Sequence, residues 1–317
     1  MPNDRRVSIV GVPLEYGQPL AGVSKAPYEF RVDGLVPSVE AQNWKCFDCG
    51  DIPIPDACDR KLDQAHGEKK DGQPFLKCAS VVSKVNKATA DVVYDRAEKG
   101  DFVVTIGGDH SVAIGSIAGI LRHRPDTGIV WVDAHADINT PLTTFSGNIH
   151  GMVLSFLMKH PDCASVEEYA WLKDVPKLDP TKLVYIGLRD LDVGEKRIIR
   201  ESGIKAFTMH DVDKHGIGRV MEMAIEHLRG RKDCPLHLSF DIDGVDPLFA
   251  PSTGTRVGGG LTQREAYFIC ESVAETGLLA SMDIVEVNTS LGDKEGASNT
   301  VHLAEKLVVA ALGDSIL

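Results

Sequence analysis

The chain has 317 residues, 43% of them hydrophobic and 25% charged, which is a globular composition with room for one large domain or two modest ones. A formal charge of −12 without any basic run disfavours duplex nucleic acid as a partner. No segment reaches the roughly eighteen consecutive apolar residues of a membrane span, so no membrane partner is expected. In chain order, the apolar stretch 7–12 is too short for a signal sequence and reads as a first strand. An amphipathic helix is expected over 83–99, stopped by Gly100, followed by a strand at 102–106 (FVVTI) and a helix over 110–121. Strands follow at 128–132 (GIVWV), 183–186 (LVYI) and 204–208, then a helix over 211–228. The chain closes with a strand at 236–240 (LHLSF), a helix over 262–275, a strand at 278–287 and a helix over 300–312.

Strand–helix alternation means parallel strands joined by right-handed crossovers. The strands are almost continuously apolar, which fits burial on both faces. No linker or internal repeat divides the sequence. The expected architecture is therefore α/β: a single three-layer domain over residues 1–317, with a parallel sheet of about eight strands covered by helices on both faces.

Seven cysteines, at 46, 49, 58, 78, 163, 234 and 270, make an odd and scattered set that suits a reducing compartment, and a cytoplasmic location is expected. Cys46 and Cys49 have CxxC spacing but no second pair to complete a zinc site, so they read as free thiols at a strand end.

Ligands of such a sheet bind beyond the carboxyl ends of its strands, and the polar clusters fall there. GGDH follows FVVTI, DAHAD follows GIVWV, GLRD follows LVYI, DIDGVD follows LHLSF, and MDIVEVN lies late in a strand. Asp133, His135 and Asp137 alternate at i, i+2 and i+4, which in an extended chain puts them on one face. Asp241 and Asp243 repeat the spacing, with Asp246 in the loop beyond. So many acids at one sheet edge need a compensating cation. Two divalent ions would balance the four negative charges of Asp133, Asp137, Asp241 and Asp243, and His110 from the GGDH turn joins them. Oxygen-rich ligands with a little nitrogen suit Mn²⁺, and less clearly Fe²⁺, Co²⁺ or Zn²⁺. Water between two ions roughly 3.5–4 Å apart becomes hydroxide near neutral pH, so the expected chemistry is hydrolytic. The residues alone leave phosphoesters, amides and guanidines open. A GxGxxG fingerprint and a P-loop are both missing, which argues against dinucleotide or nucleotide chemistry.

Four stretches resemble the ureohydrolase family: GGDHSVAIGS (107–116), WVDAHADINTPLTTFSGNIHG (131–151), SFDIDGVDPLFAPSTGT (239–255) and MDIVEVN (282–288). Similarity runs from GVPLEYGQPLAGV (11–23) to LVVAAL (307–312), and within the family DINTPLTTFSGNIHG resembles the arginases. The resemblance implies manganese-dependent hydrolysis of L-arginine to L-ornithine and urea, a place in arginine metabolism and the urea cycle, and a homotrimer. It implies one manganese on His110, Asp133, Asp137 and Asp241, and a second on Asp133, His135, Asp241 and Asp243, so that Asp133 and Asp241 bridge. Glu286 would hold the guanidinium, and His150 would carry protons, with Asp137 part of the reacting centre. Asn139, Thr144, Ser146 and Asn148 would contact the substrate carboxylate, with Gly151 near the same subsite. Asp192, with Asp190 and Glu195, would hold the α-ammonium, and Thr255 completes the contact set.

Alternatives carried with this reading are another ureohydrolase, acting on agmatine or a guanidino acid, and an idle arginine-binding metalloprotein. Intact His150 and Glu286 weigh against the idle protein. Departures from the arginase pattern are Ala136 where threonine is common, SKAP at 24–27, and Arg256 and Gly258 in TRVGGGLT. The chain also ends at Leu317, without the long tail of many animal arginases. Arg264 and Glu265 match positions that often form intersubunit ion pairs.

Overall fold

The structure is a computed structural model that describes residues 5–55, 76–230 and 234–314, so Cys58 lies outside the described residues. Its strands are β1 (Arg6–Val12), β2 (Lys45–Asp51), β3 (Phe102–Gly107), β4 (Gly128–Val132), β5 (Leu183–Leu188), β6 (Lys205–Thr208), β7 (Leu236–Asp241) and β8 (Leu279–Val285). They form one eight-stranded sheet in the order β2-β1-β3-β8-β7-β4-β5-β6. Every neighbouring pair is parallel. The α-helices are α1 (Ala26–Asp33), α2 (Leu35–Ala41), α3 (Ala79–Glu98), α4 (Ala113–His123), α5 (Val153–Leu157), α6 (Val193–Ser202), α7 (Met209–Arg229), α8 (Gln263–Glu275) and α9 (Lys294–Ala311).

Strand side chains alternate between two apolar cores. In β4, Val130 and Val132 pack into the core shared with α1, α2, α7, α8 and α9. Ile129 and Trp131 pack into the opposite core, with α3, α4, α5 and α6. Burying both faces explains why the central strands carry no polar alternation. β3 and β4 are consecutive among the central strands in sequence, yet β8 and β7 lie between them. The crevice at such a crossover is where a doubly wound sheet places its ligands. Among the described residues no helix is long and apolar enough to cross a membrane.

The three-layer sheet expected from the sequence is present. Its differences in detail have local causes. The helix expected over 110–121 is a 3-10 turn, His110–Val112, running into α4, with Asp109 capping the turn by accepting from Ser111 N. The closing helix starts at Lys294 rather than 300, because Asp293 caps a polar first stretch that carries no apolar signal. Helix α7 starts at Met209 and is interrupted at Gly216, where φ is +75°. Cys46 and Cys49 lie inside β2, a half-exposed edge strand with no run of β-branched residues to reveal it, rather than at a strand end. The strand expected over 278–287 stops at Val285, and Glu286 follows it at φ +63°. Arg264 pairs within its own helix, 2.6 Å from Glu271, and Glu265 closes a capping box with Thr262. Both groups of the expected intersubunit pair are thus engaged inside the chain.

Candidate metal centre

Four adjacent central strands, β3, β8, β7 and β4, deliver acids and imidazoles to one point at their carboxyl ends. His110, just beyond β3, is completely buried. Its Nδ1 lies 3.2 Å from Asp133 Oδ2, 3.2 Å from Asp137 Oδ2 and 3.1 Å from Asp241 Oδ2. His135 Nδ1 lies 3.4 Å from Asp133 Oδ1 and 3.1 Å from Asp243 Oδ2. Two groups of potential metal ligands result, His110/Asp133/Asp241 and Asp133/His135/Asp243, and Asp133 belongs to both.

The residues meet through turns and not through strand alternation. β4 ends at Val132, and Asp133 Oδ1 accepts from His135 N at 2.7 Å, which curls the segment. Asp137 has φ +49°, so the i, i+2, i+4 set is not extended as the spacing suggested. On the neighbouring strand Asp241 Oδ1 accepts from Asp243 N at 2.8 Å, and Asp243 sits in the 3-10 turn Ile242–Gly244. Short Asx turns of this kind let carboxylates one residue apart face a common point. Asp137 and Glu286 both adopt the left-handed backbone that non-glycine residues rarely take. Such strain persists where the surroundings over-determine it, and it clusters at functional sites.

This donor set fits divalent cations. Four carboxylates and two imidazoles crowd together, and buried His110 Nδ1 makes no hydrogen bond although three anionic oxygens surround it. In the protein alone, protons must do the work of positive charge. Burial opposes charging His135, but Asp243 and Asp133 outweigh it and push the imidazole up to about 12. Burial likewise opposes charging His110, yet Asp133, Asp137 and Asp241 hold it well above the ordinary histidine range. Burial, then the neighbouring Asp133, pushes Asp243 up to about 6. Burial, then Asp243 and Asp133, holds Asp241 well above the usual carboxylate range. Asp137 is raised by burial and by Asp133. Burial pushes Asp133 in the same direction, but His110 and His135 outweigh it and bring it below the usual range. A site this strained electrostatically is relieved by cations.

Beside the cluster, His150 Nδ1 lies 3.1 Å from Glu286 Oε1, which also accepts from His110 N at 2.9 Å. Burial opposes protonation of His150, but Glu286, then Asp137 and Asp109, raise it to about 9. A cleft of about 210 Å³ opens above, lined by His135, Asp137, Asn139, His150, Gly151, Asp190, Asp192, Glu195, Asp241 and Thr255. Larger hollows of about 610 and 780 Å³ lie at the other ends of the strands, beside Trp44 and Phe102. They lack the convergent acids and imidazoles that mark a reactive site.

The cleft residues are tied to one another. Asp192 caps α6, accepting from Glu195 N at 3.2 Å, and its other oxygen accepts from Asn139 Nδ2 at 2.9 Å. Glu195 is buried and accepts from Asp192 N at 3.1 Å; burial, then Asp137, raises it to about 8. Asp190 stays exposed, 4.0 Å from His135 Nε2. Thr255 Oγ1 donates to Asp243 Oδ2 at 2.8 Å. Thr144, Ser146 and Asn148 do not line the cleft: Thr144 Oγ1 accepts from Gly147 N at 3.1 Å and Ser146 Oγ from Asn148 N at 3.2 Å. Their polar atoms shape the loop that ends in the 3-10 turn carrying His150.

The model of the Arginase family matches residues 5–313. The chain belongs to the arginase family. It is 46% identical to the arginase of Glaciozyma antarctica over 99% of this chain and 89% of that protein. It is 44% identical to arginase-1 of Homo sapiens over 98% of this chain and 93% of that protein. The solved native arginase of Bacillus caldovelox superposes with a TM-score of 0.87 at 39% identity, covering 99% of this chain and 100% of that one.

Several residues of this arginase-family site escape a reading of motifs. Trp131 stacks on His110 with ring centroids 4.0 Å apart and donates from Nε1 to Asp133 Oδ2 at 2.9 Å. Asp109 is buried and accepts from Gly17 N at 2.9 Å; burial, then Glu286, raises it to about 6. Tyr185 donates to the carbonyl of Ala136 at 2.6 Å. Arg189 Nη2 donates to the carbonyls of Asp243 at 2.6 Å and Val257 at 2.8 Å, clamping two site loops. Asp283 offered a signal, an acid in the middle of an apolar strand, where burial without a partner is costly.

Proposed function

We propose that this chain hydrolyses the guanidinium group of L-arginine to L-ornithine and urea with the help of two manganese ions. The observation that carries the reading is the convergence of His110, Asp133, His135, Asp137, Asp241 and Asp243 beside the His150–Glu286 pair, in a member of the arginase family. His110, Asp133, Asp137 and Asp241 would hold one ion, and Asp133, His135, Asp241 and Asp243 the other. When bound, the ions supply the positive charge that offsets these carboxylates, and they lower the pKa of water so that a nucleophile forms near neutral pH.

The chain's own groups do the rest. Glu286 orients the guanidinium through charge-assisted hydrogen bonds, which suit a planar cation. His150, held at Nδ1 by Glu286, carries protons at Nε2 to the leaving amine. Asp192, with Asp190 and Glu195, receives the α-ammonium directly or through water. Asn139 and Thr255 at the cleft wall, with Gly151, read the carboxylate end. Thr144, Ser146 and Asn148 support that loop and reach the carboxylate through neutral hydrogen bonds once substrate is bound. Residues 1–317 act as a single unit in this reading. Cys46, Cys49, Cys163, Cys234 and Cys270 stand as free thiols, which supports a cytoplasmic location. The assembly is a homotrimer, in which Arg264 would exchange Glu271 for a neighbouring subunit; light scattering tests this.

The deciding experiment measures urea release by the manganese-loaded protein from arginine, agmatine and guanidinobutyrate side by side. Arginine should be preferred by several orders of magnitude in kcat/KM, because the truncated substrates strand several buried polar groups at once. Comparable values for agmatine would refute the assignment.

A further inference from the structure

A buried polar chain runs beneath His110. His110 Nε2 lies 2.9 Å from Ser239 Oγ, and Ser239 Oγ donates to Asp283 Oδ1 at 2.6 Å. Asp283 Oδ2 accepts from Ser116 Oγ at 2.6 Å and faces His237 Nε2 at 2.9 Å. His110, Ser239 and Asp283 are completely shielded from solvent, and Ser116 and His237 almost so.

Donor and acceptor accounting fixes the pattern. An ionised carboxylate only accepts, so the single hydroxyl proton of Ser239 goes to Asp283. Ser239 Oγ then has only a lone pair for His110, and His110 Nε2 must carry the hydrogen. A neutral imidazole protonated at Nε2 has its free lone pair at Nδ1. That is the atom that faces the oxygens of Asp133, Asp137 and Asp241 and makes no hydrogen bond. Trp131, stacked on the ring at an interplanar angle of 12°, keeps it from turning over.

We propose that Asp283 and Ser239 are positioning residues that select the Nδ1-ligating tautomer of His110 and so set the affinity of the centre for its cation. The proposal rests on the metal-binding reading above. Outer partners of a ligating histidine are worth roughly 10–100-fold in metal affinity. Asp283→Asn can turn its amide toward Ser239 and reverse the chain of donors, which would place the hydrogen on Nδ1, where the cation must sit. Ser239→Ala cuts the chain while leaving Asp283 with His237 and Ser116.

The test is a manganese titration of the parent protein, Ser239→Ala and Asp283→Asn, with free Mn²⁺ read from its electron paramagnetic resonance signal. Histidine-selective ¹⁵N spectra of each protein stripped of metal, recorded at alkaline pH where the imidazole of His110 is neutral, report its tautomer. The parent should show the Nε2-protonated form, and both variants should bind Mn²⁺ at least tenfold more weakly with a changed His110 pattern. A merely structural role would lower Tm yet leave affinity and tautomer unchanged. Affinities within twofold of the parent, or an unchanged tautomer, would overturn the proposal. If Asp283→Asn does not fold, Ser239→Ala decides alone. A parent that leaves all manganese free would overturn the metal reading and this inference with it, whereas equal binding by parent and variants overturns only the inference.

Discussion

Stripping the metal with a chelator should destabilise this protein, and the loss should grow as pH rises. Mass action gives the scale: at free Mn²⁺ 100-fold above its Kd, each site adds about 2.7 kcal/mol, so two sites add about 5 kcal/mol. At about 2.1 cal/mol/K per residue, a chain of 317 residues shifts its Tm by roughly 1.5 °C per kcal/mol, which makes the expected gap about 8 °C. The pH dependence follows from the two imidazoles. In the metal-free protein His135 is raised from 6.5 to about 12, and His110 is held well above the ordinary range. A raised imidazole contributes stability that is fully present below its unfolded value and is lost as pH rises toward its folded value. The metal-free fold therefore weakens from pH 6.5 upward. A cation, by contrast, displaces about two protons on entering, so its apparent affinity gains up to about tenfold per proton for each pH unit. These are two faces of one linkage, which widens the gap in Tm between loaded and stripped protein as pH climbs from 6.5 to 9. Calorimetric scans of both forms across that range measure it directly. A gap below about 2 °C at saturating Mn²⁺, or one that narrows with rising pH, would refute the reasoning.

Other expectations concern single residues. His150→Asn should lower kcat by roughly 10²–10⁴-fold, keep its metal content and recover partly with added imidazole; loss of manganese would mean that His150 belongs to the coordination shell. Gly108→Ala should destabilise the fold by about 3 kcal/mol in urea titrations and weaken Mn²⁺ binding. A Cβ there would overlap the Leu14 carbonyl oxygen, and Gly108 also accepts from Glu286 N at 2.8 Å. Glu195, raised from 4.5 to about 8 by burial and then Asp137, contributes stability to the metal-free fold that is present below pH 4.5 and lost toward pH 8. Metal-free Glu195→Gln should therefore lose less Tm than the parent between pH 5 and 8, and parallel curves would remove that role.

The central strands and the acids at their ends were legible in the sequence because both leave local signals. GIVWV is apolar on both faces, and DAHAD breaks that run abruptly. The edge strand KCFDCGD carries no such run, since half of its surface meets solvent. Helices α1 and α2, short and separated by Gly34, gave too little periodicity to stand out. Within the site, spacing found Asp133, His135 and Asp137 but mistook a curled segment for an extended one. The decisive turn is a hydrogen bond between Asp133 and His135 N, invisible in a pattern of residue types. Trp131 and Ser239 were unreadable for a different reason. Each sits in a strand where a buried residue is expected, and only the neighbouring strand reveals what its polar atom holds.

The insertion of β8 and β7 between β3 and β4 bears on how the protein is made. A growing chain that has emerged only as far as β6 already contains His110, Asp133, His135 and Asp137. It still lacks Asp241, Asp243 and the two strands that must slide into the middle of the sheet. The halves of the cluster remain apart until the last third of the polypeptide arrives, and pairings of such long sequence separation form slowly. Ion capture is therefore a late event of biogenesis, and a bound ion certifies that β7 and β8 have arrived and the centre has closed.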